Sequence, residues 1–148
     1  ADPVLECRYQ DADQTPPSPA VSKALTGADR IVLAPSNPFL SLQPIFSLQG
    51  FRALWDGCRA RKVAVSPMIG EAAVKGPLAS LLASLGHPVN SLGIARLLKE
   101  WIDVLILDEG DAGLVPEIES CGLQAVCTPT LMKTDQDRER LARVTLDV

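Results

Sequence analysis

Small polar side chains stand where one apolar run of this sequence ends. The segment APSNPFLS, residues 34–41, contains Ser36, Asn37 and Ser41. Their hydroxyl and amide groups donate hydrogen bonds, and a helix predicted to begin near Pro38 directs its free N–H groups to the same place. This combination predicts an anion site suited to a phosphate. The alternative is that Ser36 and Asn37 only cap the helix and shape the turn, and both interpretations stay open.

A positive charge lies in a second loop of the same kind, SPMIGEAAVKGP, residues 66–77. Lys75 precedes a predicted helix, and Gly76 lets the backbone come close to a ligand. A cation at that point suits a diphosphate. The alternative is an ordinary solvated lysine. The sequence contains neither the Walker phosphate-binding pattern nor GxGxxG.

Carboxylates follow the third apolar run, in LDEGDAG at residues 107–113. Asp108, Glu109 and Asp111 cluster there. Mg²⁺ favours one or two protein carboxylates together with phosphate oxygens, so a magnesium role is one interpretation. The other is that Asp111 caps a helix.

Composition narrows the class of protein. The chain has 148 residues, 47% of them hydrophobic, and a net charge of −4. We therefore expect one α/β domain over residues 1–148, with no nucleic-acid or acidic-membrane partner, because those surfaces need a positive patch. No apolar run approaches the roughly 18 residues that span a bilayer, so a cytoplasmic protein is expected. The four cysteines form no CxxC pair, which predicts buried free thiols, and His87 is predicted on the surface.

The polar loops depend on the elements around them. Strands are predicted at residues 4–10, 30–34, 63–67, 103–109 and 123–129. Helices are predicted at residues 18–29, 40–62 with a break near Gly50, 77–86, 91–101, 112–122 and 134–148, and a loop at 68–76. This alternation indicates a Rossmann-like, mostly parallel sheet with helices on both faces. Ligands of such sheets bind beyond the carboxyl ends of the strands, where the three polar loops lie.

Four blocks together resemble a known family. In order, IVLAPSNPFLSLQPI, VAVSPMIGEAAVKGP, LDEGDA and TPTLM with TDQDRERLA resemble the C-terminal half of the 2-phospho-L-lactate transferase family. The resemblance runs from about Val4 to the end of the chain. The residues that match its motifs are the predicted substrate-binding set: Ser36, Asn37, Pro38, Ser41, Lys75 and Gly76, with Asp108 and Asp111 in the acidic block.

The resemblance implies a specific reaction. Members transfer a phospholactyl-type group, 2-phospholactate or phosphoenolpyruvate, from a guanosine diphosphate-linked donor to a hydroxyl of the deazaflavin Fo during coenzyme F-420 biosynthesis. It also implies Mg²⁺, a homodimer and a Rossmann-like fold. Ser36, Asn37 and Ser41 would hold a phosphate or the adjacent substrate, and Lys75 would lie near the diphosphate. No residue is assigned as catalytic.

Some positions depart from the family pattern. Ala34 stands where the family usually has glycine, and Glu71 where it often has a second glycine, which would put a carboxylate near an anion site. No segment here resembles the N-terminal half of the family, where the metal ligands are expected. We therefore expect the chain to be a C-terminal portion that is inactive alone. The alternatives are a non-catalytic module that binds a nucleotide or sugar nucleotide, and an α/β domain whose loops only cap helices.

Overall fold

A central sheet of parallel strands organises the chain. The computed structural model describes residues 3–148. These residues contain six strands: β1 (Arg30–Leu33), β2 (Arg61–Val65), β3 (Met68–Ile69), β4 (Ala72–Ala73), β5 (Val104–Leu107) and β6 (Gln124–Cys127). The central sheet has the order β1-β2-β5-β6 and every pairing in it is parallel. β3 and β4 form a separate antiparallel hairpin.

Helices connect the parallel strands. The part of the chain described by the structure has seven α-helices: α1 (Pro19–Thr26), α2 (Gln43–Phe46), α3 (Phe51–Gly57), α4 (Leu78–Ser84), α5 (Ser91–Leu98), α6 (Val115–Ser120) and α7 (Asp135–Asp147). A π-helical turn, Pro38–Leu42, precedes α2, and a 3₁₀ helix, Glu109–Leu114, precedes α6. The predicted α/β class is confirmed, because parallel strands require crossover connections of this kind.

Local signals set where several helices begin. The Ser18 side chain accepts a hydrogen bond from the Val21 N–H at the start of α1. Thr134 and Asp137 form a reciprocal capping box at the start of α7. Gly50, with φ 76°, separates α2 from α3 at the predicted break. These boundaries follow from nearest-neighbour chemistry and were predicted.

Each face of the sheet packs on helices. Ala64, Leu105 and Leu107 share the larger core with α4 and α5, in which Leu82 and Ile94 are fully buried. The alternate strand positions point to the opposite face, where they pack on Leu141 of α7: Val63, Val65, Val104 and Ile106. Burying one such side chain stabilises the fold by about 1.5–3 kcal/mol. The prediction of helices on both faces is confirmed.

Two predictions about strands were wrong. Residues 4–10 form no strand, and Leu5 is 87% exposed. The Tyr9 hydroxyl lies 2.7 Å from the Phe39 carbonyl oxygen, so this segment runs along the loop after β1 instead of joining the sheet. β1 was predicted to be fully buried, but it is an edge strand and Val32 is 43% exposed. An unbroken apolar run does not show whether a strand has neighbours on both sides.

Candidate binding site at the carboxyl edge of the sheet

A cavity of about 350 Å³ opens where the loops after β1, β2 and β6 meet. Its polar lining consists of Asn37, Ser66, Lys75 and Thr130. Its apolar lining is larger: Pro35, Pro67, Val74, Leu78, Leu131 and Met132. The cavity lies at the edge of the sheet at which parallel α/β folds bind ligands. One positive charge beside an apolar wall is a suitable arrangement for a ligand with an anionic part and a ring.

Asn37 caps the helical turn that follows it. Its Oδ1 accepts hydrogen bonds from the N–H groups of Phe39 at 3.0 Å and Leu40 at 3.3 Å. The side-chain oxygen of Asn37 is therefore used for capping, as the alternative interpretation proposed. Its amide nitrogen donates to no residue in the described range. Pro38 is buried behind Asn37, and Ser36 and Ser41 lie outside the cavity lining. The predicted phosphate role of these residues stays a prediction, with Asn37 the member of the set at the cavity.

Lys75 reaches the cavity from the loop after β2. Its side chain is exposed and forms no ion pair with a carboxylate of residues 3–148. Its charge is therefore available to an anionic ligand. Gly76 has φ 74°, a left-handed conformation that strains other residues, and it turns the chain into α4. Gly76 thus positions Lys75 and is not itself part of the lining.

Asp108 joins the acidic loop to the loop after β6. Its Oδ1 accepts from the Gly110 N–H, and its Oδ2 accepts from the Thr130 N–H at 2.8 Å and the Thr130 hydroxyl at 3.0 Å. Burial raises the pKa of Asp108, but these hydrogen bonds outweigh burial and hold the pKa below its ordinary value. Asp108 thereby holds Thr130 at the cavity. The 3₁₀ helix is capped by Asp108, so the alternative in which Asp111 caps a helix was wrong.

Asp111 faces the protein interior. Its side chain is 4% exposed and accepts a hydrogen bond from the Ser91 hydroxyl. Ser91 in turn lies 2.8 Å from the hydroxyl of Ser66, which lines the cavity. Sequence reasoning missed Ser66 and Ser91 as functional candidates. Ser66 lies in the quoted VSP block, whereas Ser91 carries no local signal because its partners are 20 and 25 residues away.

The described residues do not fit a magnesium site by themselves. Within residues 3–148 no three His, Cys, Asp or Glu side chains are placed to share a metal ion. Both oxygens of Asp108 and one oxygen of Asp111 already accept hydrogen bonds from protein groups. The predicted need for Mg²⁺ stays a prediction.

The difficulty expected from Glu71 does not arise. Glu71 lines a different groove, of about 370 Å³, together with Asn90, Gly110 and Asp111. The tight hairpin β3–β4, in a stretch predicted to be a loop, turns this carboxylate away from the cavity that contains Lys75. The cavity that contains Lys75 and the glutamate are therefore separated by the hairpin.

Several smaller predictions have mixed outcomes. His87 is partly buried, with its ring centroid 5.9 Å from that of Phe39, so the surface prediction was wrong in part. All four cysteines are free thiols, as predicted, but Cys127 is exposed and only Cys58 is fully buried. Among residues 3–148 the structure contains no helix with the length and apolarity required to cross a membrane.

The fold is that of an α/β protein of Rossmann type, with a cavity at the carboxyl edge of its sheet. The sequence profile of the family described as "2-phospho-L-lactate transferase CofD" matches residues 1–141. The chain belongs to this family, which confirms the resemblance. The match includes every loop that lines the cavity.

Curated relatives agree with the profile. The chain is 35% identical over 145 residues to the 2-phospho-L-lactate transferase of Methanococcus maripaludis, covering 97% of this chain and 45% of the relative. It is 37% identical over 150 residues to the enzyme of that name from Methanopyrus kandleri, covering 99% and 46%. For the relative from Methanocaldococcus jannaschii the values are 34% over 140 residues, 95% and 43%. The chain spans less than half the length of these relatives.

Proposed function

We propose that this chain is the C-terminal portion of a transferase that moves a phospholactyl-type group from a guanosine diphosphate-linked donor to a hydroxyl of the deazaflavin Fo. The group is 2-phospholactate or phosphoenolpyruvate, and the product belongs to coenzyme F-420 biosynthesis. The observation that carries this proposal is the family match across residues 1–141, because curated relatives of the chain are named 2-phospho-L-lactate transferase. The proposal places the substrates at the cavity described above.

The cavity divides into two chemically different parts. Lys75 supplies a positive charge that has no counter-ion within residues 3–148, and the diphosphate is the part of the substrates that needs a positive charge. Val74, Leu131 and Met132 are apolar side chains that remain 38–49% exposed around the same cavity. A planar deazaflavin ring would remove these side chains from water. In the proposal, Lys75 faces the diphosphate and the apolar wall holds the ring.

Catalysis of this transfer would depend on positioning and charge. Asn37 lines the cavity with an amide nitrogen that has no acceptor within residues 3–148, and Asp108 fixes Thr130 in the same lining. Such groups align a hydroxyl with a phosphorus atom and stabilise charge on the transferred group. The proposal includes Mg²⁺ with ligands outside the residues described here, and a homodimer as the working assembly.

A binding titration followed by amide NMR tests this division. We expect GDP to shift signals near Lys75 and a deazaflavin or flavin analogue to shift signals near Leu131 and Met132. Lys75→Ala should weaken GDP binding by about tenfold, the size of one charge-assisted contact, and the ring ligand by much less. Lys23→Ala, an exposed lysine on α1, is the matched control. Equal losses for both ligands in Lys75→Ala would contradict the placement of the diphosphate.

Serine substitutions test the predicted phosphate set. If Ser36 and Ser41 hold phosphate when the site closes on its substrates, Ser36→Ala and Ser41→Ala should weaken GDP binding with little change in stability. Unchanged affinity in both variants would remove them from the site and leave Asn37 as the contact from this loop.

The second candidate function is binding of a nucleotide or sugar nucleotide without turnover. It is favoured by the use of Asp108 and Asp111 in internal hydrogen bonds, which leaves few carboxylates for chemistry. Because this portion is expected to be inactive alone, assay of the full-length protein that contains it, with donor, Fo and Mg²⁺, separates the two functions. Formation of GMP and a phospholactylated deazaflavin supports the transferase, whereas GDP-type binding without product supports the regulatory module.

A further inference from the structure

A chain of buried hydrogen bonds connects the cavity to the interior. Ser66, Ser91 and Asp111 are 1%, 0% and 4% exposed, and they come from the end of β2, the start of α5 and the 3₁₀ helix. The Ser91 hydroxyl donates to Asp111, and the hydroxyls of Ser91 and Ser66 are 2.8 Å apart. The Ser66 oxygen also accepts from the Met68 N–H at 3.2 Å. Of these four residues, Ser66 lines the cavity.

The Asp111 carboxylate determines the direction of every hydrogen bond in this series. An ionised carboxylate only accepts hydrogen bonds, and each serine hydroxyl has one proton to donate and two lone pairs that accept. Because Ser91 donates its proton to Asp111, it must accept the proton of Ser66. The Ser66 proton is then used by Ser91 at 2.8 Å, and not by the Met68 carbonyl oxygen, which is farther away at 3.5 Å. The Met68 N–H uses one lone pair of Ser66, and no other donor within residues 3–148 uses the second.

We propose that Asp111, acting through Ser91, is a positioning residue that makes Ser66 a hydrogen-bond acceptor at the cavity wall. This wall then selects a hydroxyl or N–H group of the ligand and disfavours a phosphate oxygen, which also only accepts. The inference rests on the proposed function, in which one substrate carries a hydroxyl-bearing ring system and the other a diphosphate. It assigns the Ser66 side of the cavity to the former.

Neutron diffraction from deuterium-exchanged crystals of the protein tests the direction without any ligand. The expected deuteron on Ser66 Oγ points to Ser91 Oγ, and the one on Ser91 points to Asp111. A Ser66 deuteron directed to the Met68 carbonyl or into the cavity would overturn the inference, and would leave the proposed function untouched.

Calorimetric titration with riboflavin and with inorganic pyrophosphate tests the selectivity. In Ser91→Ala, Ser66 regains a free proton, so riboflavin binding should weaken about fivefold while pyrophosphate binding stays constant or tightens. Ser66→Ala removes the acceptor itself and should weaken riboflavin binding similarly, which keeps the test usable if Ser91→Ala does not fold. Ser80→Ala, an exposed serine on α4, is the matched control and should change neither affinity.

The ratio of the riboflavin affinity to the pyrophosphate affinity shows whether these residues determine ligand selectivity or only support the fold. If these hydrogen bonds only support the fold, Ser91→Ala and Ser66→Ala should each weaken the binding of riboflavin and of pyrophosphate equally. That result would overturn the inference while the proposed function stands. If the wild-type protein binds neither probe at millimolar concentration, the proposed function and the selectivity role both fail. A selective loss of riboflavin in both variants supports the inference.

Discussion

The loops after β1 and β2 both end a strand in small polar residues, but they use those residues differently. In the first loop, Asn37 bonds backbone N–H groups two and three residues along the chain. In the second, Ser66 bonds Ser91, which is 25 residues away, and through it reaches Asp111. The first arrangement forms a helix cap, and the second connects three elements of the fold.

This difference concerns how each loop is held. A cap needs only its own segment, so the first loop should respond to substitutions with small, local changes. The hydrogen bonds among Ser66, Ser91 and Asp111 depend on the close approach of α5 to the end of β2. A substitution at any one of these three residues should therefore affect the other two.

The largest effect should come from Gly93→Ala in α5. A Cβ built at Gly93 would lie 2.0 Å from the Pro88 carbonyl oxygen, so the helix or the preceding turn must move. We expect a loss of about 3 kcal/mol in the free energy of unfolding, measured by urea denaturation. Gly57→Ala, where a Cβ has no neighbour within 4 Å, is the control and should be neutral or stabilising by up to about 1 kcal/mol. Similar stability of both variants would show that α5 is not tightly placed.

Asp111→Ala should have the next largest effect. It leaves the buried Ser91 hydroxyl without the carboxylate that accepts its hydrogen bond, and we expect a loss of about 2 kcal/mol. Combining it with Ser91→Ala in a double-mutant cycle should recover part of that loss, because the two residues contact each other. Additive losses of unfolding free energy would contradict the difference between the two loops, since they would mean that Asp111 and Ser91 do not act as a unit. Asp13→Ala, at an exposed position, is the control.

Asn37→Ala should have a moderate, local effect. It removes the cap of the π-helical turn, and substitutions of this kind cost about 1 kcal/mol. Asn37→Ser keeps an oxygen at the capping position and should retain most of the stability in the same urea measurement. If Asn37→Ala cost as much as Asp111→Ala, the two loops would not differ in the way described.

The smallest effect should be the pH dependence carried by Asp108. Its pKa is lower in the folded protein than its ordinary value of 3.8. The carboxylate therefore contributes stability above pH 3.8, and this contribution disappears as the pH falls through the lower, folded pKa. Wild type and Asp108→Asn should converge in stability across that acidic window and differ by a constant amount above it. Convergence on raising the pH would contradict the sign.

Much of the fold could be predicted because its determinants are local. The caps at Ser18 and Thr134, the break at Gly50, and the apolar runs of β2 and β5 lie within a few residues of what they determine. The family motifs were also visible as short blocks. The pairing of strands was harder to predict. Among residues 3–148, the segment 4–10 has strand-like composition but no partner strand, and β1 has a partner strand on one side only.

The candidate site shows the same division. Asn37 and Lys75 were identified from the sequence, and both line the cavity. Thr130, Leu131 and Met132 were quoted only as part of a motif, and their place opposite Lys75 depends on the order β1-β2-β5-β6.

Residue type and near spacing were enough to predict the alternation of strands and helices, the starts of α1 and α7, the family and the polar loops. They did not predict the end of α3, since the helix predicted to continue to residue 62 stops at Gly57 and β2 begins at Arg61. Tertiary structure alone decided which loop side chains share the cavity. It brought Asp111 to Ser91, turned Glu71 away behind the β3–β4 hairpin, and gave Lys75 no counter-ion among the residues that the structure describes. The physical reason is that these outcomes depend on distances between residues far apart in the chain, which only the packing of the sheet and helices sets.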